Sequence, residues 1–276
     1  MKTGTFASPE ARERYFAAYR LAMALCPAPD EVSDVPTSFG TTRVYRFGHG
    51  VPLVLLPGLS ATSAGWGAEL GRYARDNAVY AVDTLGEPGH SVQTAPIRNA
   101  VDRGRWLDEV LAGLGLDLAH LVGASSGGWH VCAAAVHAPE RIASISLIDP
   151  TGVTVGFGFG VVWRAALASL IRRDRAWRWF LRWAGGLDPE RPDVRLVLAG
   201  IREYRAHLPP QLPFGEALRE VRVPTLALFG GRNVVHDGVK AADRMRELVP
   251  HAEVELWPES GHRLDATEHV LAFVRR

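Results

Sequence analysis

The chain of 276 residues is 47% hydrophobic and 22% charged, a composition typical of a folded globular protein and not of a disordered or fibrous one. Its 31 basic and 30 acidic residues nearly cancel, which excludes a global field that would attract nucleic acid or an anionic membrane. The 2 cysteines, Cys26 and Cys132, lack the spacing of a zinc site or a disulfide framework. The N-terminal stretch lacks the apolar core of a signal peptide, and no apolar run is long enough for a membrane span. We therefore expect a cytoplasmic protein that binds no nucleic acid and does not insert stably into a membrane.

The chain is predicted to begin with a helix. Ser8-Pro9-Glu10 is typical of an N-cap followed by a proline in the first helical turn, and the helix should run to about Cys26. Two strand-like runs follow, Val35–Phe39 and Thr42–Phe47, and Phe39-Gly40-Thr41 suggests a hairpin turn between them. We expect this hairpin at an antiparallel edge of a larger sheet.

From residue 51 onward, short apolar runs alternate with segments of helical periodicity. The predicted strands are Val51–Leu56, Ala78–Asp83, Ala119–Val122, Ile142–Ile148, Val223–Phe229 and Glu253–Trp257. The predicted helices are Ala64–Arg75, Arg98–Leu114, Gly127–His137, Val239–Leu248 and a last one from Leu264. This alternation is typical of βαβ units and predicts an α/β fold whose mostly parallel sheet is buried on both faces.

The alternation is interrupted between Val153 and about Phe214, where strand signals are absent. We interpret residues 153–214 as a helical lid inserted into one catalytic core made of residues 31–152 and 215–276, with residues 1–30 as an N-terminal helical extension. The segment contains four tryptophans that either face a substrate pocket or only pack the lid onto the core. They are Trp163, Trp177, Trp179 and Trp183.

The segment Gly123-Ala124-Ser125-Ser126-Gly127 matches the pattern G-x-S-x-G. It directly follows a predicted buried strand and directly precedes a predicted helix, which is the arrangement of a nucleophile elbow. Such a turn projects the serine hydroxyl above the sheet, and the helix N-terminus favours developing negative charge. We predict that Ser125 is the nucleophile and that the backbone N–H of Ser126 is one oxyanion donor.

His262 is the predicted catalytic base. It lies between the last predicted strand and the last predicted helix, at the carboxyl edge of the sheet where ligands bind in open α/β folds. Its place after the serine also fits the order Ser, Asp or Glu, His of nucleophile-elbow hydrolases. His90 follows another strand and is the alternative, with a role in loop structure as the simpler explanation.

Together these residues resemble the α/β-hydrolase superfamily, and more narrowly its bacterial carboxylesterase-like members, from Thr37 to the C-terminus. The stretches that carry the resemblance are LVLLPGLSATSAGW, AVDTLGEPGHS, LVGASSGGW, VPTLALFGGRN and SGH. The resemblance implies an α/β-hydrolase fold and a serine hydrolase that acts on a small-molecule ester without a cofactor or metal. It leaves the natural substrate and the oligomeric state open.

The second oxyanion donor is expected in Pro57-Gly58-Leu59-Ser60, after the strand Val51–Leu56. Many relatives with this layout carry histidine in place of Pro57. Because the donor is a main-chain amide, that difference is tolerable, and the backbone N–H of Leu59 is the best candidate.

The acid of the triad departs from the family pattern, which usually places a carboxylate where this chain has Asn233. A neutral amide cannot stabilise an imidazolium as a carboxylate does. Asp149, at the end of the neighbouring strand Ile142–Ile148, is the favoured acid, and some hydrolases of this fold draw their acid from that strand. The alternatives are Asn233 orienting the histidine without charge, and Asp237, for which a helix N-cap is the simpler interpretation.

Three functions remain open at this point. The first is ester hydrolysis through an acyl-enzyme at Ser125 with His262 as base. The second is an acyltransferase or cyclase on the same scaffold, because the fold does not fix the function. The third is a catalytically impaired ligand-binding protein, a hypothesis suggested by Asn233.

Overall fold

The structure, a computed structural model, describes residues 2–171 and 173–276, so Met1 of the predicted extension and Arg172 of the predicted lid lie outside it. The strands are β1 (Thr5–Phe6), β2 (Glu31–Thr37), β3 (Gly40–Phe47), β4 (Val51–Leu56), β5 (Asn77–Val82), β6 (Val92–Gln93), β7 (Ala119–Ala124), β8 (Ile142–Ile148), β9 (Tyr204–Arg205), β10 (Thr225–Gly230) and β11 (Glu253–Trp257). The α-helices are α1 (Pro9–Met23), α2 (Glu69–Tyr73), α3 (Ala100–Gly113), α4 (Ser126–His137), α5 (Phe159–Ile171), α6 (Asp174–Gly185), α7 (Pro192–Glu203), α8 (Gly238–Leu248) and α9 (Thr267–Val274).

A mixed sheet with the strand order β11-β10-β8-β7-β4-β5-β3-β2 forms the centre of the molecule. The strands from β11 to β5 are paired in parallel. In contrast, β3 runs antiparallel to β5, β2 and β6. The predicted α/β-hydrolase fold, with its mostly parallel sheet and antiparallel N-terminal edge, is therefore confirmed.

Strand β4 shows why this sheet needs helices on both faces. Leu53 and Leu55 point into one apolar cluster and Val54 and Leu56 into another, because successive side chains of a strand alternate between faces. All four side chains are fully buried. A continuous apolar run of this kind is stable only where both faces are covered.

The hairpin turn lies one to two residues earlier than predicted, at Ser38 and Phe39, and Gly40 pairs with Thr37 as the first residue of β3. The prediction placed Gly40 in the turn because glycine favours turns. Here glycine is needed for close packing instead, since a Cβ on Gly40 would lie 2.1 Å from the Val92 carbonyl oxygen of β6.

Two helices of the structure differ from their predicted extents. The helix expected over Ala64–Arg75 is divided into a 3-10 turn, Ser63–Trp66, and the short α2, because Gly67 between them has a left-handed backbone with φ 49°. The last helix begins at Thr267 and not at Leu264.

The helices α5, α6 and α7 form the predicted helical insertion between β8 and β10. The prediction that this segment contains no strand is wrong at its end, where β9 pairs antiparallel with β1. A strand of two residues is too short for periodicity to reveal.

The helix α1 packs against α7, and the ion pair between Arg14 and Glu203 joins them, so the N-terminal segment is attached to the insertion. Within the described ranges, the longest apolar helices fall short of what crossing a bilayer requires.

His130, on the inner side of α4, gives the core a predictable sensitivity to acid. The side chain is 1% exposed, and burial, helped by the charge of Arg103 and opposed by Glu87, lowers the pKa of His130 to about 4. In the unfolded chain this pKa is about 6.5, so between these values the unfolded state binds a proton that the native state does not. The free energy of unfolding should therefore fall as the pH is lowered through this range, by roughly 1 kcal/mol per pH unit from His130.

We expect His130→Gln to remove this part of the pH dependence, measured as the free energy of urea unfolding between pH 7 and pH 4. The difference between the wild-type and His130→Gln curves isolates His130 from the other histidines. Parallel curves for the two proteins would contradict the prediction.

Candidate active site

Ser125 lies in the tight turn between β7 and α4, so the strand, turn and helix predicted around it are present. Its backbone has φ 52° and ψ −119°, a conformation that is costly for a residue with a Cβ. Hydrogen bonds hold the turn in place: the Ser125 amide donates to the Ile148 carbonyl at 2.9 Å, and the Ser125 carbonyl accepts from the amides of Gly128 and Thr151. The hydroxyl is thereby fixed at the carboxyl edge of the sheet.

Two glycines of the motif permit this close packing. A Cβ on Gly127 would lie 2.1 Å from the Leu56 carbonyl oxygen, and a Cβ on Gly123 would lie 2.5 Å from the Gly127 carbonyl oxygen. The elbow therefore depends on bare backbone at both positions, where β7, β4 and α4 converge.

His262 follows β11 in the loop before α9, as predicted. Its Nε2 lies 2.9 Å from the Ser125 hydroxyl oxygen. The loop is held against the end of β10 by the hydrogen bond from the Arg232 amide to the Ser260 carbonyl at 2.9 Å. A Cβ on Gly230 would lie 2.1 Å from the Gly261 carbonyl oxygen, so the glycine at the end of β10 allows the histidine loop to approach.

Asp149 ends β8 and is fully buried. Its Oδ2 is hydrogen-bonded to Nδ1 of His262, and its Oδ1 accepts the Gly230 amide at 3.0 Å. The backbone of Asp149 is left-handed, with φ 44°, a conformation that aspartate tolerates better than most residues. The structure thus brings Ser125, His262 and Asp149 into one hydrogen-bonded chain.

The other two candidate acids occupy different positions. The Asn233 side chain amide donates to Asp149 Oδ2 at 2.5 Å and lies 3.4 Å from His262 Nδ1, so Asn233 supports the carboxylate. Asp237 caps α8, where its Oδ1 accepts the Lys240 amide at 3.0 Å. The structure therefore brings Asn233 to the histidine and places Asp237 at a helix terminus.

His90, the alternative histidine, belongs to a different part of the molecule. Its ring packs against Phe16 and Tyr19, and its amide donates to Asp83 Oδ2 at 2.9 Å. These contacts fit the role in loop structure.

Sequence reasoning missed His236, whose only signal was its place three residues after Asn233. The side chain is buried, and its Nε2 lies 3.6 Å from Asp149 Oδ1. Burial lowers the pKa of His236, against the attraction of Asp149, so the ring is held neutral beside the carboxylate. Across the described ranges, Asp149, His236 and His262 are also the three side chains grouped closely enough to ligate a metal ion, although Asp149 and His262 bond each other in this arrangement.

The segment after β4 passes directly over Ser125. A Cβ on Gly58 would lie 3.5 Å from the Ser125 Cβ. The amide of Ser60 donates to Glu87 Oε2 at 2.6 Å, and the amide of Ala61 donates to the Gly58 carbonyl at 3.0 Å. Both amides are therefore engaged, which leaves the neighbouring Leu59 amide as the candidate donor of this loop.

Ser126 is the first residue of α4. Its hydroxyl accepts a hydrogen bond from the Gln211 side chain at 3.0 Å, so it is engaged with the insertion. Its amide is at the helix N-terminus, where backbone N–H groups have no acceptor within the helix.

A cavity of about 200 Å³ opens beside Ser125 and His262. Its apolar wall is formed by Trp66, Ile148, Leu187, Val194, Val197 and Leu264. The sequence left open whether the four tryptophans of the insertion face a pocket or only pack, and none of the four lines this cavity. Trp163 and Trp183 stack on the guanidinium of Arg164 at 4.2 and 4.1 Å, and Trp177 packs onto the α6–α7 cluster, so these rings hold the insertion together.

Known proteins similar to this chain identify its family and fold. The profile described as the alpha/beta hydrolase family matches residues 53–276. Carboxylesterase YbfK of Bacillus subtilis (strain 168) is 28% identical over 98% of this chain and 96% of that protein. The uncharacterized carboxylesterase nap of the same organism is 28% identical over 91% of this chain and 87% of that protein.

Two solved structures are similar over nearly their whole length. The crystal structure of carboxylesterase CesB (YbfK) from Bacillus subtilis has a TM-score of 0.88 at 28% identity, covering 96% of this chain and 98% of that chain. The crystal structure of naproxen esterase from Bacillus subtilis has a TM-score of 0.85 at 26% identity and covers 97% of both chains.

Proposed function

This chain belongs to the α/β-hydrolase family, and we propose that it is a serine hydrolase that cleaves carboxylic esters through an acyl-enzyme at Ser125. The observation that carries the proposal is the continuous contact from the Ser125 hydroxyl to His262 Nε2 and from His262 Nδ1 to Asp149. A serine hydroxyl is weakly nucleophilic unless a base receives its proton. The carboxylesterase names of the similar Bacillus proteins support ester hydrolysis as the reaction.

In the proposed mechanism, Ser125 Oγ attacks the ester carbonyl carbon while His262 Nε2 accepts the hydroxyl proton. Asp149 stabilises the imidazolium and holds the tautomer that exposes Nε2 to the serine. The backbone amides of Ser126 and Leu59 stabilise the oxyanion. His262 then gives the proton to the departing alcohol, and a water molecule, deprotonated by His262, releases the acid from Ser125.

A neutral residue at position 233 fits this assignment. A carboxylate there would place a second negative charge about where the amide nitrogen now lies, 2.5 Å from Asp149 Oδ2. Like charges this close disfavour ionisation of both groups. Asn233 instead donates a hydrogen bond to the acid, so it no longer argues for the impaired binding protein that the sequence alone left open.

The proposed function is tested with p-nitrophenyl esters and a fluorophosphonate probe. We expect wild-type protein to hydrolyse short esters and to carry one covalent adduct, located at Ser125 by mass spectrometry. Ser125→Ala should lose the adduct and lower kcat by roughly 10⁴-fold or more. In Ser126→Ala the adduct should stay at Ser125, whereas a folded wild-type protein that neither reacts nor turns over would disprove the proposal.

The assignment of the acid makes a separate prediction. Asp149→Asn keeps the size and the left-handed backbone but removes the charge, so kcat should fall by about 10⁴-fold. Asp237→Asn is the matched control and should keep wild-type kcat. The double variant Asp149→Asn with Asn233→Asp should recover part of the activity, because position 233 is within reach of His262 Nδ1. Wild-type turnover in Asp149→Asn together with an inactive Asp237→Asn would overturn the assignment.

The cavity beside Ser125 predicts a preference for short acyl chains, since about 200 Å³ is below the usual range for drug-sized ligands. Leu187→Ala should raise the kcat/KM ratio of octanoate to butyrate esters by about tenfold, because each accommodated methylene contributes roughly 1 kcal/mol or more. Trp179→Ala is the control, since this ring does not line the cavity, and it should leave the ratio unchanged. The reverse pattern would show that the tryptophans form the acyl pocket.

A further inference from the structure

Two buried carboxylates that follow β5 accept hydrogen bonds from the loop after β4, which passes over Ser125. Glu87 Oε2 accepts the Ser60 amide at 2.6 Å, and Asp83 Oδ1 accepts the Ser63 amide at 2.9 Å. Both side chains are almost fully buried. Carboxylate acceptors of backbone N–H groups are among the stronger hydrogen-bond partners in proteins.

The loop needs such partners because its backbone is strained. Ser60 and Thr62 have φ values of 58° and 57°, in the left-handed region that residues with a Cβ adopt at a cost. Strained backbone of this kind persists where the surroundings fix it, and it is common at functional sites. Here Glu87 holds Ser60 directly, by accepting the hydrogen bond of the Ser60 amide.

A buried arginine, Arg103, lies close enough to Glu87 for the two side chains to act on each other electrostatically. Arg103 is 1% exposed, and its guanidinium donates to the Leu85 carbonyl at 3.0 Å, next to the segment that carries Glu87. Burial lowers the pKa of Arg103 to about 10, with Glu87 acting to raise it, so Arg103 stays charged at neutral pH.

The other titratable groups that face Glu87 are uncharged at neutral pH. His130 Nε2 lies 3.5 Å from Glu87 Oε1 and has its pKa lowered to about 4, mainly by burial. Tyr15 and Tyr204 have raised pKa values, mainly because of burial. Among these groups, Arg103 is the cation near Glu87, and the Ser60 amide is its close hydrogen-bond donor.

We propose that Glu87 is a positioning residue of the oxyanion hole. By accepting the Ser60 amide it fixes the turn Gly58-Leu59-Ser60, so that the loop amide presented to the oxyanion is that of Leu59 and not that of Ser60. The inference rests on the proposed function, because it assigns a role within the hydrolysis at Ser125. Glu87 touches neither the substrate nor the reacting atoms.

Glu87→Gln tests the proposal, because it keeps the size and an acceptor oxygen but removes the charge. We expect kcat on p-nitrophenyl butyrate to fall by roughly 10- to 100-fold with KM nearly unchanged, less than the loss of a whole oxyanion donor. An alkylboronic acid, whose tetrahedral adduct places an oxygen in the oxyanion hole, should bind more weakly by a similar factor. Binding of the product butyrate should be unchanged.

Glu109→Gln is the matched control. The Glu109 carboxylate accepts the Ser38 amide at 2.6 Å, the same distance as between Glu87 and the Ser60 amide. Ser38 lies in the β2–β3 hairpin, away from Ser125. We expect Glu109→Gln to keep wild-type kcat and boronate affinity. If Glu87→Gln does not fold, Glu87→Asp, which keeps the charge and shortens the reach, should still lower kcat and boronate affinity.

Wild-type kcat and boronate affinity in every folded Glu87 variant would overturn the proposal. So would parallel losses of boronate and butyrate affinity, because they would indicate a general collapse of the pocket. Amide hydrogen exchange separates this proposal from the proposed function. If the wild-type protein hydrolyses no ester, the proposed function fails. Faster amide exchange across residues 57–62 in Glu87→Gln, at unchanged global stability, would still support the role of Glu87 in holding the loop. Unchanged exchange there would overturn that role.

Discussion

The buried charge of Asp149 is the constraint on which the site depends. Its carboxylate has no exposed surface, and a buried carboxylate without donors is costly by several kcal/mol. The donors come from three places: the Gly230 amide at the end of β10, the Asn233 side chain, and His262 from the loop after β11. These groups converge because β8, β10 and β11 are neighbours in the sheet and parallel. The order of the strands in the sheet therefore supplies the hydrogen-bond donors that the buried Asp149 carboxylate needs.

The parts of this arrangement that the sequence predicted are those with a local signal. The alternation of apolar runs indicates the sheet, and G-x-S-x-G between a strand and a helix locates the turn at Ser125. Asp149 could be proposed because a strand end is visible in the sequence. His236 and Glu87 could not, because their partners are distant in the chain and only the folded backbone brings a buried side chain to a particular amide. Gly40 shows the same limit, since its close neighbour Val92 belongs to another strand.

The insertion illustrates how composition differs from orientation. Its tryptophans suggested a substrate pocket, yet Trp163, Trp179 and Trp183 lie around Arg164. Aliphatic side chains of α7 and of the preceding loop line the cavity beside Ser125 instead. Arg164 is partly buried, and an arginine packed among aromatic rings gains cation–π attraction and covers its apolar stem. The rings therefore stabilise the helical insertion, and the smaller Leu187, Val194 and Val197 limit the size of the cavity beside Ser125.

Two buried carboxylates, Asp149 and Glu87, thus hold groups of the site, and their partners differ in chemistry. Asp149 bonds a histidine that gains and loses a proton in the proposed reaction, so its charge must be matched to a changing partner. Glu87 bonds a backbone amide and faces Arg103, neither of which changes its protonation at neutral pH. A fixed partner suits a group that holds geometry, because preorganised donors stabilise an oxyanion without reorganising at the moment of reaction. The difference between a reactive and a positioning carboxylate therefore follows from the group that each one faces, and not from burial, which they share.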